Sequence, residues 1–108
     1  MTLGELIERL KKADPDKVVP KGWNNPHSYR GYYECLAFEP ADNVTVGEML
    51  KCAEDSLGKT FQGWKGGDFK MYEFTDVYIA YEGDCGDGIS HLLLDYMLGE
   101  VKFPRRKK

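Results

Sequence analysis

No stretch of this chain approaches the roughly 20 consecutive apolar residues that a membrane-spanning helix requires. Its first residues, MTLGE, lack the basic and apolar regions of a secretory signal, so a cytoplasmic protein is expected. Cysteine is sparse: Cys35, Cys52 and Cys85 are an odd number with no close pairing, and reduced thiols are expected rather than a disulfide framework. Histidine is sparser still. His27 and His91 lie far apart with no Cys or Glu at ligand spacing, which removes a zinc site of ordinary spacing. The acids Glu82, Asp84 and Asp87 miss the spacing of a calcium-binding EF-hand loop, and no Lys-Ser/Thr pair opens a helix after a glycine-rich loop. Neither a metal nor another cofactor is therefore expected.

Positive charge is also short, once its location is considered. The net charge is −3, but residues 105–108 (RRKK) are all basic, and without them 11 cations stand against 18 acids, a body of −7. Nucleic-acid affinity rests on neutralising phosphates, so so acidic a body makes DNA or RNA an unexpected partner. At 108 residues, with 42% apolar and 13% aromatic content, the chain has enough apolar mass for one folded domain and no room for a second. A single compact domain over residues 1–104 with a basic tail at 105–108 is the expected organisation.

Local signals give the elements. Thr2 and Glu5 form a capping box ahead of Leu3, Leu6, Ile7 and Leu10 at helical spacing, and Pro15 stops that helix. Thr45 and Glu48 repeat the device ahead of Val46, Met49, Leu50, Ala53 and Leu57, with Gly58 as the stop. A third helix is predicted from Ile89, Leu92, Leu93, Tyr96 and Met97, ending at Gly99. Residues 17–19 read as a short strand closed by Pro20 and Gly22, residues 24–31 as a loop, and residues 32–38, 69–71 and 76–81 as strands. Glycines at 63, 66 and 67 mark a loop, and residues 83–88 an acidic turn. The order is not a regular βαβ alternation. It predicts a small α+β domain, about three helices packed on a short mixed or antiparallel sheet.

Two segments carry more chemistry than turns need. Residues 24–33 (NNPHSYRGYY) gather amide, imidazole, guanidinium and phenol groups, and residues 60–67 (TFQGWKGG) repeat an aromatic, an amide, a cation and close glycines. Aromatic faces beside cations and backbone donors suit a flat, anionic, partly apolar ligand such as a nucleotide. Arg30 and Lys65 are assigned to phosphates, Tyr29, Tyr33 and Trp64 to base stacking or pocket walls, and Asn25, His27 and Gln62 to polar edges. For Arg30 the competing expectation is an ordinary surface ion pair, for His27 a bond to its own loop, and for Trp23, Trp64, Tyr72, Phe74 and Tyr78 core packing. The acidic surroundings of Cys85 argue against a nucleophile, and no residue is assigned a catalytic role.

Residues 25–33, 36–40 (LAFEP), 44–50 (VTVGEML) and 60–67 together resemble small proteins encoded by bacteriophages and prophages, over nearly the whole chain to about residue 98. Small phage proteins of this kind include anti-defence sponges, which sequester nucleotide immune signals such as cyclic ADP-ribose isomers and are commonly homo-oligomers. The resemblance implies, by analogy, a homo-oligomeric sponge in the cytoplasm of an infected bacterial cell, binding a nucleotide-derived signal without cleaving it. Two other classes stay open. One is a small hydrolase or phosphodiesterase using His27 with Glu34 or Asp76, and the other is a protein inhibitor of a host defence complex.

Overall fold

Both capping boxes form as the spacing predicts. In the computed structural model, which describes residues 1–82 and 85–99, the Thr2 hydroxyl accepts from the Glu5 amide while Glu5 accepts from the Thr2 amide. Thr45 and Glu48 do the same at the second helix. The elements run α1 (Leu3–Lys11), β1 (Val18–Ser28), β2 (Leu36–Thr45), α2 (Val46–Ser56), β3 (Thr60–Gln62), β4 (Asp68–Lys70), β5 (Val77–Glu82), β6 (Cys85–Gly88) and α3 (His91–Met97). This is a small α+β domain with a mixed four-stranded sheet in the order β1-β2-β5-β6 and a separate β3–β4 hairpin. β1 and β2 are antiparallel, β2 and β5 parallel over Leu36–Phe38 and Val77–Ile79, and β5 and β6 antiparallel. The 105–108 tail, Asp84 and the Cys85 thiol lie outside the described residues.

The core gathers the apolar stripes of the helices on one face of the sheet. Leu3, Leu6 and Leu10 of α1 and Val46, Met49 and Ala53 of α2 pack in one buried cluster with Val19, Trp23, Leu36, Phe38, Val77 and Ile79. Trp23 is fully buried, its ring 4.0 Å from that of Phe38, so this tryptophan is a core residue and not a pocket wall. Its indole N–H has no hydrogen-bond partner, a local cost offset by the area the ring buries. The first residues seal the sheet: the Met1 amino group donates to the Ile89 carbonyl at 2.8 Å, and the Leu3 amide to that of Thr75 at 2.7 Å.

Three departures from the predicted elements have physical causes. β1 does not stop at Pro20 but runs on to Ser28, through two prolines. It is the edge strand, where a missing N–H costs no ladder bond on the open side. β2 begins at Leu36 rather than residue 32 and passes through Pro40, which lies beyond the three residues that pair with β5. Third, α3 buries Leu94 and Leu98, whereas Leu92 is 54% exposed and Tyr96 is also exposed. Of the predicted stripe, Ile89 is buried and Leu93 and Met97 are half-buried against the core, while Ser90 caps this helix by accepting from the Leu93 amide. Two short strands, β3 and β6, also stand where loop and turn were expected.

Truncating the two leucines should separate the alternatives for α3. Leu94→Ala should cost about 2–5 kcal/mol in urea unfolding, and Leu92→Ala should stay within about 0.5 kcal/mol. Thr45→Ala should cost roughly 1 kcal/mol through loss of its cap.

Candidate functional site

Between β1 and β2 the chain turns tightly on itself. The Tyr29 amide donates to the Cys35 carbonyl at 2.8 Å, the Cys35 amide to that of Tyr32 at 2.9 Å, and the buried Ser28 hydroxyl to that of Tyr33 at 2.6 Å. With its polar backbone satisfied internally, this loop turns Arg30 and Tyr32 outward. The β3–β4 hairpin turns just as tightly, the Gly63 amide donating to Gly67 at 2.9 Å and the Gly66 amide to Gly63 at 3.0 Å. Gly66 and Gly67 hold φ of 100° and 88°, in the left-handed region that disfavours other residues.

These two loops, far apart in the chain, meet. The Arg30 guanidinium carbon lies 4.2 Å from the centre of the Trp64 ring. Beneath that pair, Tyr33 meets Phe69 edge to face, with ring centres 5.5 Å apart. Gly63 permits the approach: a methyl there would fall 2.8 Å from Phe69 Cε2 and from the Gly66 carbonyl, and 3.0 Å from Tyr33 Cδ2. Arg30 forms no ion pair with any described residue, so the ordinary surface pairing is not its role. Its stack leaves the guanidinium edge, with its fork of N–H donors, open to an anion. Trp64 is 53% exposed, and Lys65, next in the chain on the hairpin turn, is exposed without an ion-pair partner among the described residues. A shallow cavity of about 330 Å³ adjoins Arg30, walled by Tyr32, Tyr33, Glu34 and Phe69.

The other candidate residues take different places. Asn25 sits in the register break of β1, exposed, with φ of 53°, and shares a backbone hydrogen bond with the Cys52 sulfur. His27 lies on β1 opposite Ala37, its Nδ1 donating to the Ser28 carbonyl at 2.9 Å and its Nε2 3.7 Å from the Glu39 carboxylate. The bond to its own backbone is therefore made, and the acid beside it is Glu39. Tyr29 is buried, its ring stacked on Tyr78 at 4.4 Å. That stack covers a second small cluster with Cys35, Ala37 and Ala80. Gln62 ends β3, exposed, across from Asp68. Arg30, Tyr33 and Trp64 thus come together with Lys65 beside them, while no hydrogen bond, ion pair or ring contact joins Asn25 or His27 to them among the described residues.

No described thiol is poised for chemistry. Burial pushes the Cys35 thiol up to about 11, with the Asp76 and Glu34 carboxylates adding to the rise, and burial likewise raises Cys52. Among the described residues no group of three His, Cys, Asp or Glu side chains is placed to hold a metal ion. Comparison with protein-family models, curated proteins and solved structures found no match. The site is read from its own chemistry.

Of the residues that wall the cavity beside Arg30, Phe69 and Tyr32 were not assigned to a site from sequence, and Glu34 was weighed only as an acid beside His27. Phe69 reaches it only because β4 pairs with β3 in register, opposite Phe61. The broader depression of about 760 Å³ along α1 offers charges of both signs, including Glu5, Glu8, Lys11 and Lys12, on an open helix face.

Two outcomes are expected. Gly63→Ala should prise the loops apart and cost about 1–3 kcal/mol in denaturant unfolding. At pH 8, Cys35 should react with iodoacetamide far more slowly in the folded protein than in urea, as peptide mass mapping would read.

Proposed function

We propose that this protein is a binding protein that captures a nucleotide-derived signal of the ADP-ribose type and holds it without cleaving it. One observation carries the reading: the Arg30 guanidinium stacks on an exposed indole and makes no ion pair with a carboxylate among the described residues. An arginine held in that way has its charge and its donors available to a ligand, and the indole plane keeps the fork oriented before the ligand arrives. Lys65 adds a second positive charge on the neighbouring turn for a pyrophosphate. Tyr33 and Phe69 form the floor of the site, and the free parts of Trp64 and Tyr32 offer flat surface to a base.

The resemblance to phage-encoded proteins supports the sequestering role and, with it, the cytoplasm of an infected bacterium as the place of action. No helix among the described residues is long and apolar enough to cross a membrane. Self-association belongs to the same proposal, since Tyr32, Trp64, Tyr72 and Phe74 leave large aromatic surface exposed.

The test is to incubate the protein with a panel of ADP-ribose-derived and cyclic-dinucleotide signals, remove free ligand by filtration, denature by heat and identify what is released. Intact signal recovered in proportion to protein is the expected result. Turnover to a product would make the protein an enzyme, and an empty panel would move a protein partner to the front. Arg30→Ala should weaken capture by about 10- to 100-fold, the loss of a charged hydrogen-bonding partner. Lys65→Ala should weaken it by less. Capture as tight as the parent's in the Arg30 variant would remove the assignment.

A further inference from the structure

On the far side of Tyr32 and Phe69 from Arg30 lies a second cavity, of about 340 Å³, between the residue 29–35 loop and the segment that follows β4. Its aromatic surface is unusual for an exposed site. Tyr72 and Phe74 are stacked in parallel, 5.0 Å apart and tilted by 7°, and Phe74 is 70% exposed. Tyr32, also exposed, contributes a third ring. Nothing in the core requires these rings to be where they are, and each leaves apolar area in water.

The charge around them is negative. Glu34, Asp68 and Asp76 line the cavity against Lys70 as its one cation, a surplus of two acids. The Asp68 and Asp76 carboxylates have no ion-pair or hydrogen-bond partner among the described residues, and Glu34 accepts only from the Tyr32 hydroxyl, at 3.3 Å. A cation already marks the preferred position: Lys70 Nζ lies 5.7 Å from the centre of the Tyr72 ring. Rings with a negative face and carboxylates without partners attract the same kind of group. The acids do not converge closely enough to hold a metal ion, so the group is one large enough to span them.

We infer that this cavity is a second binding site, for a small free organic cation of the guanidinium or ammonium type. It shares Tyr32, Glu34 and Phe69 with the cavity beside Arg30, but Tyr72, Phe74, Asp68 and Asp76 line this one and not the other, so it does not rest on the anion reading of Arg30.

Titration calorimetry with agmatine at low salt tests the inference. Saturable binding is expected, with N-butylurea, a neutral probe of related shape, failing to bind. The Asp68→Asn/Asp76→Asn double variant should weaken agmatine by tenfold or more. Should that variant melt early by circular dichroism, Phe74→Ala, at a surface position, decides instead and should weaken it severalfold. No binding at millimolar agmatine, equal binding of the neutral probe, or unchanged affinity in the deciding variant would overturn the site. Tighter binding of acetyl-arginine amide than of agmatine would overturn the free small molecule as occupant.

Discussion

Leu36, Ala37 and Phe38 are the only residues of β2 that pair with β5, and the pairing is parallel. A parallel pair cannot be closed by a tight turn, so the chain between the two strands must leave the sheet and return. That excursion contains α2, which packs over the core face, and the β3–β4 hairpin, which hangs beyond it. The antiparallel β1–β2 pair ends at Ser28 and Leu36, next to where β5 begins. The loop joining β1 and β2 and the returning excursion are thereby delivered to the same end of the sheet. The meeting of Arg30 with Trp64 is a consequence of this topology, and Gly63 is the local concession that lets the two backbones close.

The two cavities at that end differ in charge although they share walls. Arg30 lines one, Asp68, Asp76 and Lys70 line the other, and Tyr32, Glu34 and Phe69 are common to both. In a chain whose body is acidic, a guanidinium with no ion pair among the described residues is notable, since many acids were at hand to pair with it. Stacking on Trp64 orients the planar group while leaving its charge unpaired. Glu34 raises the Tyr32 phenol, and burial, with Asp76 and Glu34 adding to it, raises the Cys35 thiol, so both groups stay protonated near neutral pH. Their role at the site is one of shape and hydrogen bonding and not of nucleophilic attack.

Helix starts were legible because their chemistry is local: Thr2 with Glu5 and Thr45 with Glu48 satisfy amides within one turn, whatever the rest of the chain does. Strand ends were not. Pro20 reads as a stop, and it is tolerated because β1 is an edge strand with one side open. The stripe of α3 was legible in part: Ile89, Leu93 and Met97 pack against the core, but Leu92, Leu93 and Leu94 are alike in sequence and only the packing buries Leu94 and leaves Leu92 exposed. Of the site, Arg30, Tyr33, Trp64 and Lys65 stood out by composition, whereas Phe69 and Tyr32 acquire their places from hairpin register and loop closure.

By itself, then, the sequence determined the α+β class, the two capping boxes, the glycine turn of the hairpin and the residue types able to meet an anion. These follow from interactions spanning a few residues, where side-chain chemistry and backbone sterics suffice. The tertiary structure decided which of those residues meet. It turned Tyr29 inward onto Tyr78, placed His27 beside Glu39, and stacked Arg30 on Trp64. Each of these contacts joins residues brought together by strand pairing or crossover, and no local pattern encodes which long-range pairing the chain will adopt.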